Sequence, residues 1–152
     1  MPENGNTPGD SVLTLDSDVK ELERLRIFVD SFCEAQSVPV ETCYQLQVVL
    51  EELVLNIIKY GGCERPKDAI GLAIRKTGAD IHITLSDSGV SFNPLEVPAP
   101  DVNQSIQERP LGGLGIHLVR NLIPSIIYER RGGRNYLYLK KPTNPELGIA
   151  SP

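Results

Sequence analysis

Ile70-Gly71-Leu72-Ala73-Ile74-Arg75-Lys76-Thr77-Gly78-Ala79-Asp80-Ile81-His82-Ile83-Thr84-Leu85-Ser86-Asp87-Ser88-Gly89 is the stretch that decides the fold. Ile70, Leu72 and Ile74 alternate with Gly71, Ala73 and Arg75, and Ile81, Ile83 and Leu85 alternate with His82, Thr84 and Ser86. A period of two sends successive side chains to opposite faces, so each run is a strand with one apolar face. Thr77-Gly78-Ala79-Asp80 between them predicts a hairpin. Asp87-Ser88-Gly89 ends the second strand in turn-forming residues.

Working outward, Val12-Leu13-Thr14-Leu15 is a further strand candidate, closed by Asp16-Ser17-Asp18. Asp18 with Glu21 makes a capping-box signature, and Val19, Leu22, Leu25, Val29 and Phe32 follow at helical steps, which predicts a helix over 18–36. Pro39 pre-sets the first turn of a second helix, from about 39 to 60. On the other side lies a Pro-rich loop over 91–111, then a helix from Gly113 to Leu122. Strands at 125–131 and 134–140 follow, joined through Gly132-Gly133. Helices clustered against a mixed, mostly antiparallel sheet, all on one face, define an α+β two-layer sandwich. The turn formers of 1–10 and 142–152 are expected to be flexible tails around a single domain at 11–141.

Composition narrows the function classes. Fifteen Lys and Arg against twenty Asp and Glu give a net charge of −5, which argues against a nucleic-acid or anionic-membrane binder. A 40% hydrophobic and 23% charged chain of 152 residues suits one soluble globular domain. The Met1-Pro2-Glu3-Asn4-Gly5 start lacks a signal-peptide pattern and no long apolar run exists, so a cytoplasmic protein is expected. Cys33, Cys43 and Cys63 stand too far apart for a zinc knuckle, and Cys33 and Cys43, within apolar helical patterns, read as core packing rather than a redox device. With only His82 and His117, a transition-metal centre is not expected.

Three weak signals carry the chemistry. Glu52, Asn56 and Lys59 follow steps of four and three on the second helix and so share a face among apolar neighbours. A solvated stripe would explain them; so would a site in which Asn56 offers an oxygen to a hard cation, Lys59 a charge to a phosphate and Glu52 a base. Asp87 and Gly89 make an ordinary turn or, alternatively, a carboxylate that accepts from an exocyclic amine beside a backbone open to a flat ring. Gly112-Gly113-Leu114-Gly115 places glycines at a helix start, where free N–H groups can cradle phosphate. The spacing matches neither the Rossmann nor the P-loop pattern.

In that order, Glu52-x-x-x-Asn56-x-x-Lys59-Tyr60, Asp87-x-Gly89-x-x-Phe92-Asn93-Pro94 and Gly113-x-Gly115 resemble the asparagine box and two glycine boxes of the GHKL ATPases. Within them the chain is most similar to the stand-alone bacterial anti-sigma factor serine kinases. The resemblance covers about residues 11–141 and implies the Bergerat sandwich, with ATP between the second helix and a lid. It implies that Asn56 holds Mg²⁺, that Lys59 lies by the phosphates and that Asp87 reads the adenine amino group. Gly89, Gly113 and Gly115 would line the pocket, with Glu52 as general base. Many members carry a Thr on the last strand near adenine, and Asn135 takes that place here.

Neither His82 nor His117 suits a phosphoacceptor, and these 152 residues leave no room for a dimerisation helix, so a serine or threonine kinase is expected. Its substrate would be a small antagonist protein, with Arg109 at the lid's end meeting phosphate charge. The other reading is a nucleotide-gated binding module that sequesters a sigma factor with little catalysis. The resemblance suggests a homodimer for either.

Overall fold

A computed structural model describes residues 9–96, 98 and 113–144. Strand β1 (Ser11–Leu15) leads through a 3-10 turn (Val19–Glu21) into α1 (Leu22–Ala35) and α2 (Val40–Tyr60). The hairpin β2 (Ile70–Thr77) and β3 (Asp80–Asp87) follows, then α3 (Gly113–Leu122) and the hairpin β4 (Ser125–Arg131) and β5 (Arg134–Pro142). The five strands lie in the order β1-β2-β3-β5-β4, and all four ladders are antiparallel, with no parallel pair among the described residues.

The predicted alternation sets the layers. Burial along β3 alternates residue by residue, so Ile81, Ile83, Leu85 and Asp87 face inward and Asp80, His82, Thr84 and Ser86 face outward. Register carries the inward set across the sheet to Ile70, Leu72 and Ile74 on β2 and to Leu137 and Leu139 on β5. Against them pack Leu25, Val29 and Phe32 of α1, Leu46, Val49, Leu50, Leu53 and Val54 of α2, and Ile116 and Val119 of α3. Each such side chain removed from water contributes about 1.5–3 kcal/mol, so this shared face is the main source of stability. Cys33 is buried in the same cluster, with Cys43 and Cys63 packed against it; all three are free thiols.

Two helix starts differ from the sequence pattern. The first helix does not begin at Asp18: a 3-10 turn comes first, with Asp18 accepting from the Lys20 N–H at 2.9 Å. Glu21 reaches back past Asp18 to accept from the Asp16 N–H at 2.9 Å, so its carboxylate ends the β1 turn instead of closing a capping box. Pro39 is the N-cap of α2 and not its first helical residue, with extended backbone (φ −55°, ψ 146°). The β4–β5 turn is as the glycines predict: Gly132 and Gly133 both have positive φ (58° and 77°), which only a primed two-residue turn requires.

The end of β5 is tied into the helical layer. Lys141, only 3% exposed, donates from Nζ to the carbonyl of Leu122 at 2.9 Å, a cation on the C-terminal end of α3. Burial pushes its pKa below the usual lysine value. Thr42 in the first turn of α2 donates from its buried hydroxyl to Thr143 O at 2.8 Å. No helix among the described residues is long and apolar enough to cross a membrane.

On the outward face His82 lies between Arg75 of β2 and Lys140 of β5 in register. Its pKa is held below the usual histidine value by burial first, then by Arg75 and Lys140, with Asp80 and Asp10 opposing. A base whose folded pKa is depressed binds its proton more readily unfolded, so it costs stability as pH falls through its ordinary value, about 6.5. Melting temperature is therefore expected to drop between about pH 7.5 and about pH 5.5, and His82→Gln should flatten that drop. Parallel thermal scans of the two proteins check this.

Candidate functional site

A cleft opens between α2, the end of β3 and the first turns of α3, holding about 490 Å³ of empty space with its mouth included. Leu53, Ile57, Leu85, Val90, Ile116 and Leu137 make apolar walls, and Asn56, Asp87 and Asn135 bring in the polar groups. A mostly apolar concavity with a few converging polar groups is the usual form of a small-molecule site.

Asp87 is the last residue of β3 and is 7% exposed. A buried carboxylate needs donors. Its Oδ1 accepts from the Gly89 N–H at 2.8 Å and from Asn135 Nδ2 at 3.0 Å, while Oδ2 takes no hydrogen bond among the described residues. Asn135 stands directly across the β3–β5 ladder and is 5% exposed. Its Nδ2 also donates to Val90 O at 2.7 Å, and its Oδ1 accepts from Tyr128 Oη at 2.6 Å and from the Phe92 N–H at 3.3 Å.

Asn56 is half-buried, and its Nδ2 is fully enclosed without a hydrogen-bond partner. An amide left unsatisfied in a protein interior costs about 1–3 kcal/mol, so such a group marks a place built for something else. A cation there would need oxygen from elsewhere, because no cluster of three His, Cys, Asp or Glu able to hold a metal occurs among the described residues. An enclosed N–H donor calls for an acceptor such as a phosphate oxygen, and the Oδ1 of the same amide is the one oxygen it could lend to a Mg²⁺ ion arriving with those phosphates.

The other expected residues are arranged differently. Glu52 does not line the cleft; its carboxylate lies against Gly115 in α3, where a Cβ would collide with Oε2. Lys59 is exposed near the end of α2 and is also outside the lining. Gly89 is demanded by the protein's own packing: a Cβ there would stand 2.6 Å from Gly61 O and 2.8 Å from Asp87 Oδ1. Gly113 is the first residue of α3. Arg109, like residue 97 and residues 99–111 of the expected lid, lies outside the described residues.

Two residues of β4 join the site without a sequence signal. Arg130 donates from Nη1 to Gly89 O at 2.8 Å, and Tyr128 reaches Asn135 as above. Val90 N–H donates to Gly61 O at 2.8 Å, so the segment after β3 is held from the sheet and from the end of α2.

An antiparallel sheet covered on one face by helices, with this cleft between the layers, defines a two-layer α+β sandwich. Residues 15–141 match the histidine kinase-like ATPase domain, and the chain belongs to that family. It is 27% identical over 103 residues to the serine/threonine-protein kinase BtrW of Bordetella bronchiseptica, covering 68% of this chain and 72% of that protein. It is also similar to the structure of the RsbU and RsbW domains of Rv1364c from Mycobacterium tuberculosis. There the TM-score is 0.66 at 14% identity over 90% of this chain, which spans 32% of that longer one. The catalytic domain of the histidine kinase ThkA aligns with TM-score 0.53 and 16% identity, covering 90% of this chain and 97% of that domain. These two likenesses concern the fold.

The two glycines should respond differently to a methyl group. In Gly89→Ala the new Cβ meets a backbone carbonyl that cannot swing away, and overpacking of this kind costs about 1–3 kcal/mol. In Gly115→Ala it meets only the end of the Glu52 side chain, and a helical Gly→Ala change returns about 1 kcal/mol. Urea titrations are expected to show clear destabilisation for Gly89→Ala and little for Gly115→Ala.

Proposed function

We propose that this protein is an ATP-binding serine/threonine protein kinase of the anti-sigma regulatory type, acting on a small antagonist protein. The observation that carries the reading is the pairing, in one apolar cleft, of an Asn56 Nδ2 without a partner and an Asp87 carboxylate whose Oδ2 takes no hydrogen bond among the described residues. The first suits the phosphate end of a nucleotide, the second its base. Membership of the histidine kinase-like ATPase family and the likeness to BtrW support it.

In this reading Asp87 Oδ2 accepts from the exocyclic amine of adenine, and Leu85, Val90, Ile116 and Leu137 exclude water from the ring. Asn56 supplies the protein's oxygen to Mg²⁺, and Lys59 swings toward the phosphates as a mobile charge. Bound Mg²⁺ neutralises charge on the transferring phosphoryl group. The bond from the γ-phosphorus to the β–γ bridging oxygen breaks as the substrate hydroxyl oxygen bonds to that phosphorus. Glu52 takes the hydroxyl proton. Gly113 and Gly115 bring backbone N–H groups of α3 near the phosphates, and Arg109 is the further cation assigned to their charge. The protein works as a homodimer in the cytoplasm, exchanging between the antagonist and a sigma factor, and uses neither nucleic acid nor a membrane.

One observation favours the second reading, a nucleotide-gated binding module with little catalysis. Glu52 rests on Gly115 and outside the cleft lining, so it must turn to reach a hydroxyl. Incubation with radiolabelled ATP and a candidate antagonist, followed by phosphoamino-acid analysis, separates the two.

Calorimetry is expected to show Mg²⁺-ATP bound at least about tenfold more tightly than Mg²⁺-GTP, because guanine would set a carbonyl oxygen against Asp87. Asn56→Ala should remove the Mg²⁺-dependent part of the affinity while the circular dichroism spectrum stays unchanged. Equal affinity for the two nucleotides would take the base from Asp87.

Glu52→Gln should slow single-turnover phosphate transfer by about 10²–10⁴ with ATP affinity nearly unchanged. A folded Glu52→Gln protein that transfers at the wild-type rate would remove Glu52 from the chemistry.

A further inference from the structure

The geometry points to Asn135 as a positioning residue that never touches the nucleotide: it aims the Asp87 carboxylate and fastens it to the segment after β3 that lines the cleft. The inference rests on the reading of the cleft as an adenine-nucleotide site, and departs from the expectation that Asn135 contacts adenine itself.

An asparagine side chain has two N–H donors and one oxygen with two lone pairs. In Asn135 all of them are spent on the protein. Nδ2 donates to Asp87 Oδ1 and Val90 O, and Oδ1 accepts from Tyr128 Oη and the Phe92 N–H. At 5% exposure there is little surface to offer a ligand, although the side chain forms part of the cleft wall. The consequence falls on its neighbours. Asp87 Oδ1 already accepts from two donors, Asn135 Nδ2 and the Gly89 N–H, so Oδ2 is left as the acceptor for a ligand.

The same amide reaches the chain three and five residues beyond Asp87. Gly89 O is held by Arg130, Val90 N–H by Gly61 O, Val90 O by Asn135 Nδ2 and Phe92 N–H by Asn135 Oδ1. Beyond Gly89, whose own N–H donates to Asp87 Oδ1, it is Asn135 that links Val90 and Phe92 to the carboxylate among the described residues. Val90 and Phe92, which line the cleft, are therefore tied through Asn135 to the group proposed to read the base.

Substitution separates these roles. A threonine at 135 has one donor and a shorter reach: it can keep the bond to Asp87 but loses Val90 O and the Phe92 N–H. An aspartate places a second carboxylate across from Asp87. Tyr128 and Arg130 of β4 are the other titratable or charged groups facing that point. Two carboxylates sharing a site cannot both ionise easily, so nucleotide binding becomes pH-dependent.

The test uses the full chain, with amide hydrogen exchange on the nucleotide-free protein and calorimetry with ATP and GTP. The Leu95 amide, held by Asn93 Oδ1 at 2.9 Å, is the internal reference. In Asn135→Thr the Phe92 amide is expected to exchange at least about tenfold faster relative to Leu95, with the preference for ATP over GTP retained. In Asn135→Asp, ATP affinity is expected to fall at least about tenfold from about pH 6 to about pH 9, against a flat wild-type profile. Asn135→Ser replaces the threonine variant if that one fails to fold. Wild-type exchange at Phe92 in a folded Thr or Ser variant overturns the proposal. So does loss of base preference at unchanged exchange, which would mean direct contact with the base. A wild-type protein that binds no ATP defeats the functional reading alone, because exchange in the free protein still decides what Asn135 holds.

Discussion

The site depends on one cross-strand pair, Asp87 of β3 facing Asn135 of β5 on the helix-covered side of the sheet. A carboxylate shut away from water is costly unless it is hydrogen-bonded, and this one is satisfied by a side-chain amide and by the N–H of Gly89. Because side chains alternate along a strand, a slip of one residue in the β3–β5 register would turn one of the two groups outward and part the pair. Register here is fixed by Ile81, Ile83 and Leu85 pairing with Lys141, Leu139 and Leu137 on the buried side. The apolar pattern of the core therefore sets the position of the polar pair at its end. Stability and recognition share one ladder.

Alpha 2 shows the same coupling from the other layer. Leu46, Val49, Leu50, Leu53 and Val54 seat the helix on the sheet, and the next turn, with Asn56, Ile57 and Tyr60, is left over the cleft. Once the first turns are locked by packing and by Thr42 bonding to Thr143 O, the last turn has little freedom to rotate its amide out to solvent. The unpartnered Nδ2 of Asn56 is thus a cost held in place by the stability of the rest of the helix. Sites commonly carry such local costs, offset by the surrounding fold.

Most of the fold was legible because its signals are local. The alternation at 70–85, the helical steps of α1 and α2 and the Gly132-Gly133 turn each lie within one element and match its period. Asn56 and Asp87 were legible for a related reason: each sits at a fixed offset from an element end, which their motifs encode. The saturation of Asn135 was not legible, since it requires the β3–β5 register and a segment forty-five residues earlier in the chain. Arg130 was silent for the same reason; nothing near it in sequence indicates that its guanidinium holds Gly89 O. The 3-10 turn before α1 also escaped, because Glu21 answers the Asp16 N–H instead of the helix start.

The two motif glycines show why a residue type fixed by a motif does not by itself give the reason for it. At a nucleotide site a glycine reads first as room for the ligand. Here the room is already taken by the protein. The space beside Gly89 Cα is filled by Gly61 O, whose bond to Val90 N–H joins the end of α2 to the segment after β3. The space beside Gly115 Cα is filled by the Glu52 carboxylate, which brings a negative charge to the first turns of α3. A helix N-terminus favours negative charge, so the carboxylate and an incoming phosphate seek the same field. Gly89 thereby fixes the wall of the cleft beside Asp87. Gly115 leaves the room in which the Glu52 carboxylate rests, and in the proposed kinase reading that resting place decides how far the carboxylate turns to meet a hydroxyl.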